Sequence, residues 1–87
     1  MKAIYKMSTW SNSPEASAMN DAATKAAKAH VGKKFIVSIG EWGVTTYMVF
    51  AETKEEAKAL AATEFEKNGS KADKVKARDV TNAKKYQ

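Results

Sequence analysis

The sequence predicts a small α+β protein in which helices pack across a short antiparallel sheet. Apolar and polar residues alternate over residues 35–39 and 44–50, and a glycine-containing turn separates the two runs, which is typical of a hairpin. A helix start at Thr53 follows, and then a basic alternating segment, residues 74–78. A hairpin, a helix and a strand in this order form a sheet with one helix across it.

The composition limits the classes of protein to consider. Eighty-seven residues that are 44% apolar fit one compact domain, and we assign residues 1–80 to it and residues 81–87 to a loose basic C-terminal tail. The absence of cysteine argues against disulfides and thiolate metal sites and favours a reducing compartment. No signal peptide or membrane span is recognisable, so we expect an intact cytoplasmic protein.

The first third of the chain predicts a strand and a helix. Residues 1–10 alternate loosely, which indicates a strand. Ser13, Pro14 and Glu15 supply an N-cap hydroxyl, a proline at the first helical position and a first-turn acid, and Gly32 ends the alanine-rich helix that follows. The side of this helix predicted to be buried is thin: Ala16, Met19, Ala23, Ala26 and His30. It should pack closely and bury little apolar area.

The return strand of the hairpin and the second helix are the best-defined elements. Residues 44–50 carry large apolar groups on both faces, so this strand should lie centrally in the sheet. Thr53 and Glu56 form a capping box, and Gly69 follows the helix end. The predicted buried stripe of the helix is Ala57, Leu60, Ala61 and Phe65. Residues 71–80 are the predicted last strand.

The elements therefore follow the order β-α-β-β-α-β, which is the split βαβ arrangement of ferredoxin-like folds. This is the fold that we predict. If residues 1–10 did not form a strand, an N-terminal helix and a three-stranded antiparallel β-β-α-β core would remain.

No constellation of catalytic residues is recognisable. His30 is the single histidine and lies at a predicted helix end, which favours a partly exposed structural role. Glu55 and Glu56 are adjacent first-turn acids with a capping role, and the four glycines match no phosphate-binding loop. We expect no enzymatic activity, no cofactor and no metal site.

The strongest functional signal is positive charge. The formal net charge is +5, which favours an acidic protein surface or a nucleic acid as partner. On the last strand the basic residues are spaced by two and should project from one face: Lys74, Lys76 and Arg78. Lys71 precedes them. Such a row also protects an edge strand from aggregation, and the two roles are compatible.

Two aromatic residues have alternative interpretations. Trp42, between two glycines at the hairpin tip, either anchors an interface or folds back onto the sheet. Tyr47 could share an open sheet face with Ile36, Lys74 and Lys76 and stack nucleic-acid bases there. The glycine-aromatic signature of RNA-recognition modules is absent, which favours a packed tyrosine.

The second half of the chain resembles small early proteins of lytic phages, and is most similar to the family of bacterial RNA polymerase inhibitors of T-odd coliphages. The resemblance covers roughly the last half to three-fifths of the chain. It is carried by Lys34-Phe35-Ile36-Val37, Tyr47-Met48-Val49-Phe50-Ala51-Glu52-Thr53, Glu56-Ala57, Leu60-Ala61 and Val75-Lys76. In that family, basic residues spaced by two on the final strand engage an acidic polymerase surface. The resemblance implies this role for Lys74 and Lys76, and places Glu41 near acidic hairpin residues of the family.

These observations predict a non-enzymatic, phage-encoded inhibitor that acts in the bacterial host cytoplasm. It would block a nucleic-acid-processing or defence complex through its basic strand, with RNA polymerase as the first target and a CRISPR-type defence complex as the next. The alternative is a small basic module that binds RNA or single-stranded DNA. We expect no membrane partner.

Overall fold

The computed structural model of the chain describes residues 3–8, 13–41, 45–67 and 69–87. The elements within these ranges, in chain order, are β1 (Ala3–Ser8), α1 (Pro14–Ala29), β2 (Lys34–Ile39), β3 (Thr45–Phe50), α2 (Lys54–Glu66), β4 (Lys76–Asp79) and a C-terminal 3₁₀ turn (Lys84–Tyr86). The predicted α+β class is confirmed.

The described strands form one antiparallel sheet in the order β1-β3-β2-β4. β3 pairs with β1 on one side and with β2 on the other, so Met48 lies opposite both Tyr5 and Ile36. The prediction that the return strand of the hairpin is central is confirmed. β4 pairs with the far side of β2, where Ala77 lies opposite Val37.

The two helices lie on opposite faces of this sheet. Ala27 of α1 clusters with Phe50, whereas Ala61 of α2 clusters with Val49, the neighbouring residue of β3 whose side chain points the other way. Both helical connections skip one strand and step in the same direction across the sheet, but β1 and β3 run in opposite directions. Right-handed connections then require one helix on each face.

The face covered by α2 holds a large apolar core. Its strand residues are large and buried: Phe35, Val37, Ile39, Tyr47 and Val49. From α2, Ala57 and Ala61 are fully buried and Leu60 and Phe65 pack against the cluster, as predicted. The predicted cap is also present, because the Thr53 hydroxyl accepts from the Glu56 amide at 3.1 Å. The Glu56 carboxylate in turn accepts from the Glu52 amide at 3.1 Å.

On the other face, the helix α1 contributes small side chains to the core. The predicted N-cap is confirmed, since the Ser13 hydroxyl accepts from the Ala16 amide at 3.2 Å. Ala16, Ala23 and Ala27 are the buried residues of α1, and the predicted Ala26 is partly buried against the same cluster, so Ala27 is the residue that the predicted stripe lacks. The Asn20 amide group donates to the carbonyl of Ser8 and accepts from its backbone N–H, both at 2.8 Å, which holds α1 against β1.

The prediction of a loose C-terminal tail is wrong. Residues 81–87, which we call the C-terminal segment, pack on the α1 face, and Tyr86 is only 5% exposed. The Thr81 hydroxyl accepts from the Lys34 backbone N–H at 3.1 Å and donates to the Asp79 carboxylate at 2.6 Å. The hydrogen bonds from Thr81 lower the pKa of Asp79. Apolar burial and these hydrogen bonds fix the position of the segment. Its amino-acid composition does not indicate this packing.

Candidate binding groove

A groove of about 450 Å³ lies on the α1 face, between α1 and β4. It exists because α1 packs mainly on β1 and its alanines cover little of the sheet. Ile36 and Ser38 of β2 and Thr46 of β3 form the floor, and Tyr86 closes one end. Asn20 and Thr24 form the wall on the side of α1.

The strand register places part of this floor in one transverse row. Thr46 lies opposite Met7 of β1 and also opposite Ser38, and Ser38 lies opposite Lys76 of β4. Opposite residues of paired strands project to the same side of a sheet. The row therefore runs from a thioether through two hydroxyls to an ammonium group.

The charge of the groove is entirely positive among the described residues that line it. Lys76 and Arg78 project from β4, opposite Ser38 and Ile36, and Lys85 reaches the groove from the C-terminal segment. Within the described part of the chain, none of these three cations forms an ion pair with a carboxylate. The Lys85 ammonium lies 5.6 Å from the centroid of the Tyr86 ring. This end of the groove is therefore an anion-binding environment with no internal counter-charge.

The predicted three-residue row is wrong for Lys74. β4 begins at Lys76, and Lys74 lies before it with a positive φ of 50° that interrupts the extended strand. Its ammonium pairs with Glu41 at 3.3 Å, while the Gly40 amide donates to the Asp73 carbonyl at 2.9 Å. Two predicted interface residues thus neutralise each other across the hairpin and the loop before β4. The pair is exposed, so it contributes at most about 1 kcal/mol.

The remaining predicted interface residues do not join the groove. Lys71 is exposed in the loop between α2 and β4 and does not line it. The prediction for Trp42 lies outside the described residues. Thr24 and Thr46 line the groove without having been predicted, because nothing in their local sequence marks them as groove residues, and Lys85 joins them from the predicted basic tail.

The prediction that Tyr47 could share a face with Ile36 and Lys76 is wrong. Tyr47 projects to the α2 face and is 3% exposed, whereas Ile36 and Lys76 project to the α1 face. Burial, with a further contribution from the negative charge of Glu64, raises the pKa of the Tyr47 hydroxyl. The packed tyrosine that the sequence favoured is the one observed.

Lys34 is a buried lysine that the sequence did not single out. It is 4% exposed and lies on the same face of β2 as Ile36. Its ammonium donates to the Ala27 carbonyl in the last turn of α1 at 2.7 Å, and to the carbonyl of Tyr86. One side chain therefore joins β2, the end of α1 and the C-terminal segment that closes the groove.

His30, which caps α1, packs behind this lysine. Its ring stacks on Phe50 with centroids 4.1 Å apart and an angle of 4° between the planes. Burial lowers the pKa of His30, and the nearby charge of Lys34 lowers it further. Gly32, with a φ of 136°, lets the chain turn beneath the ring, since an added Cβ would lie 3.0 Å from its Nε2.

Comparisons with protein-family models, with curated proteins and with solved structures find no match to this chain. Among the described residues, no helix is long and apolar enough to cross a membrane. In the same ranges, no group of three or more histidine and acidic side chains is placed to hold a metal ion. The basic groove is the feature on which a function can be argued.

Proposed function

We propose that this protein is a non-enzymatic inhibitor that docks its basic groove on an acidic surface of another protein and blocks that surface. The observation that carries the proposal is the trio Lys76, Arg78 and Lys85, which has no carboxylate partner within the described part of the chain. Complementary charge of this kind accelerates association and selects the partner.

The resemblance to phage early proteins supports the choice of target. We propose a phage-encoded inhibitor that acts in the bacterial cytoplasm on RNA polymerase first, and on a CRISPR-type defence complex next. The resemblance implicates two basic residues spaced by two. We assign this role to Lys76 and Arg78 rather than to Lys74 and Lys76, because the Lys74 ammonium forms an ion pair with Glu41.

The test uses purified bacterial RNA polymerase and the Lys76→Glu, Arg78→Glu double variant. Binding is measured by surface plasmon resonance and inhibition by a transcription assay. We expect the double variant to bind at least about tenfold more weakly, equivalent to ~1.4 kcal/mol, while its thermal unfolding stays close to that of the wild type. Both residues are exposed, so their replacement leaves the core intact.

The matched control is Lys54→Glu with Lys58→Glu. It changes the net charge by the same amount on α2, which lies on the opposite face of the sheet. Equal losses of affinity in the two double variants would show that total charge matters and the groove does not. If the wild type binds neither RNA polymerase nor a purified CRISPR effector complex, the proposed targets are wrong.

The second candidate function is binding of RNA or single-stranded DNA. The groove favours it because the Ser38 hydroxyl and the nearby cations are placed to contact phosphates. A mobility-shift titration of a 20-nucleotide RNA at several salt concentrations tests it. Three phosphate contacts predict a slope of roughly −2 for log K against log salt concentration. The absence of a shift at low salt would exclude this function.

We also propose that the fold is a variant of the ferredoxin-like arrangement. The unit β1-α1-β2, with β3 inserted between its strands, supports this relationship. The variation lies at β4, which pairs with the outer side of β2. As a consequence, α2 lies on the face of the sheet opposite to α1. A solved structure is the test, and β4 pairing with β1 would contradict the variant.

A further inference from the structure

The dimensions of the groove suit a chain segment better than a broad protein surface. Its volume of about 450 Å³ lies within the ~300–1,000 Å³ of typical ligand-binding clefts. It is open toward solvent along the sheet face and closed at one end by Tyr86. A partner surface that reached Lys76 and Arg78 alone would leave this volume empty.

The chemistry of the groove changes along its length. Cations lie at the β4 end, where Lys76 and Arg78 project, and Lys85 approaches from the C-terminal segment. The half-buried Ser38 supplies a hydroxyl in the middle of the floor. Toward β1 the lining has no charged side chain among the described residues. An occupant with acidic groups at one end and uncharged groups at the other would match this order.

Apolar atoms in the floor favour a peptide over a nucleic acid. Ile36 and Met7 contribute aliphatic and thioether surface. Proteins that bind single strands use exposed aromatic rings on which bases stack. The single aromatic residue among the described lining is Tyr86, which is 5% exposed, and Tyr47 lies on the other face. The groove therefore has the charge for a polyanion and lacks the stacking surface for bases.

We propose that the groove binds an extended acidic segment of the partner protein, with carboxylates at the β4 end and an aliphatic side chain on the floor. This inference rests on the proposed function and specifies how the partner is recognised. The carboxylates receive hydrogen bonds from Arg78, the two lysines and the Ser38 hydroxyl, and charge-assisted bonds of this kind are the strong ones. The aliphatic side chain covers Ile36.

The experiment uses a fluorescein-labelled octapeptide of sequence Gly-Leu-Asp-Glu-Leu-Asp-Glu-Gly and its amide counterpart with Asn and Gln in place of the acids. Binding is followed by fluorescence anisotropy at low salt. We expect saturable binding of the acidic peptide and at least about tenfold weaker binding of the amide peptide. A poly-uridine oligonucleotide of the same length and label is titrated in parallel.

Two variants fill the groove without removing its charge. Ser38→Leu adds volume to the floor and Thr24→Leu adds it to the α1 wall, and both positions are half-buried. Each should weaken binding of the acidic peptide at least about tenfold, with the thermal unfolding midpoint measured to verify folding. The Lys54→Glu, Lys58→Glu double variant should bind the peptide nearly as the wild type does.

The results separate this inference from the proposed function. If neither filled variant weakens peptide binding, or if the oligonucleotide binds more tightly than the peptide, the inference is wrong. If RNA polymerase binding depends on Lys76 and Arg78 but is unchanged in both filled variants, the docking function stands and the groove is not the recognition site. If the peptide binds as expected but the polymerase does not, the groove is a peptide site and the target is wrong.

Discussion

The two faces of the sheet differ in how completely they are covered. On the α2 face, Phe35 and Val49 are joined by Leu60 and Phe65 in one cluster, and the space beside it at Ile4 and Tyr47 is smaller, at about 270 Å³. On the α1 face, α1 contributes mainly alanines, and about 450 Å³ between α1 and β4 is open to solvent. Side-chain volume accounts for the difference, because an alanine-rich helix approaches a sheet closely but covers a narrow strip of it.

This difference indicates that the two faces of the sheet have different roles. Large side chains are buried on both faces, but α2 adds Leu60 and Phe65 to its cluster, whereas α1 adds Ala23, Ala26 and Ala27 and leaves polar groups exposed in the groove. Lys34 shows the consequence, because its ammonium donates to the Tyr86 carbonyl and adds a polar contact to the apolar packing of the C-terminal segment. We therefore expect changes on the α2 face to act on stability and changes in the groove to act on binding.

The sharpest test of this comparison makes the same substitution on the two faces of one strand. Ile39 is 2% exposed on the α2 face, and Ile36 is half-buried on the groove side of β2. Ile39→Ala should lower the free energy of unfolding by about 2–5 kcal/mol, because it leaves a cavity among buried side chains. Ile36→Ala should cost about 1–2 kcal/mol, since solvent already reaches the site. Guanidinium unfolding measures both, and equal losses would contradict the asymmetry.

Lys34→Met should have the next largest effect. Methionine keeps the length of the side chain but removes the ammonium that donates to the carbonyls of Ala27 and Tyr86, and the Ala27 carbonyl keeps its bond from the His30 backbone N–H. We expect a loss of about 1–3 kcal/mol and faster hydrogen exchange in the C-terminal segment. The control is Lys33→Met at the exposed neighbouring position, which should change stability by less than about 0.5 kcal/mol. Unchanged exchange at residues 81–87 would show that Lys34 does not hold the segment.

The smallest effect concerns the pH dependence of stability through His30. Burial lowers the pKa of His30 below its ordinary value of 6.5, so the unfolded chain binds the proton more readily than the folded one. The stabilising contribution of the neutral ring is present above pH 6.5 and is lost as the pH falls through the folded-state pKa. His30→Gln should therefore show less change in unfolding free energy between pH 7.5 and 5.5. Parallel pH profiles for the two proteins would contradict this assignment.

The sequence by itself determined the elements whose signals are local. Thr53 and Glu56 are three residues apart, and Ser13 bonds the Ala16 amide over the same interval, so the capping interactions could be predicted from neighbouring residues. Alternation over a few residues likewise predicted the two strands of the hairpin and the central position of β3. Lys76 and Arg78 project from the same face of β4, as the two-residue repeat of a strand predicts.

The tertiary structure decided the features that depend on distant partners. Lys34 and Tyr86 meet across 52 positions of sequence, and no local pattern distinguishes a buried lysine from the exposed Lys33 beside it. The edge that β4 joins selects the face that α2 covers, and the register of β4 on β2 places Lys76 and Arg78 on the face opposite to Tyr47. The groove is the space between elements whose positions depend on these long-range contacts, and residues of six separate elements line it. Local propensity specifies each element, whereas packing between elements specifies where the charges meet.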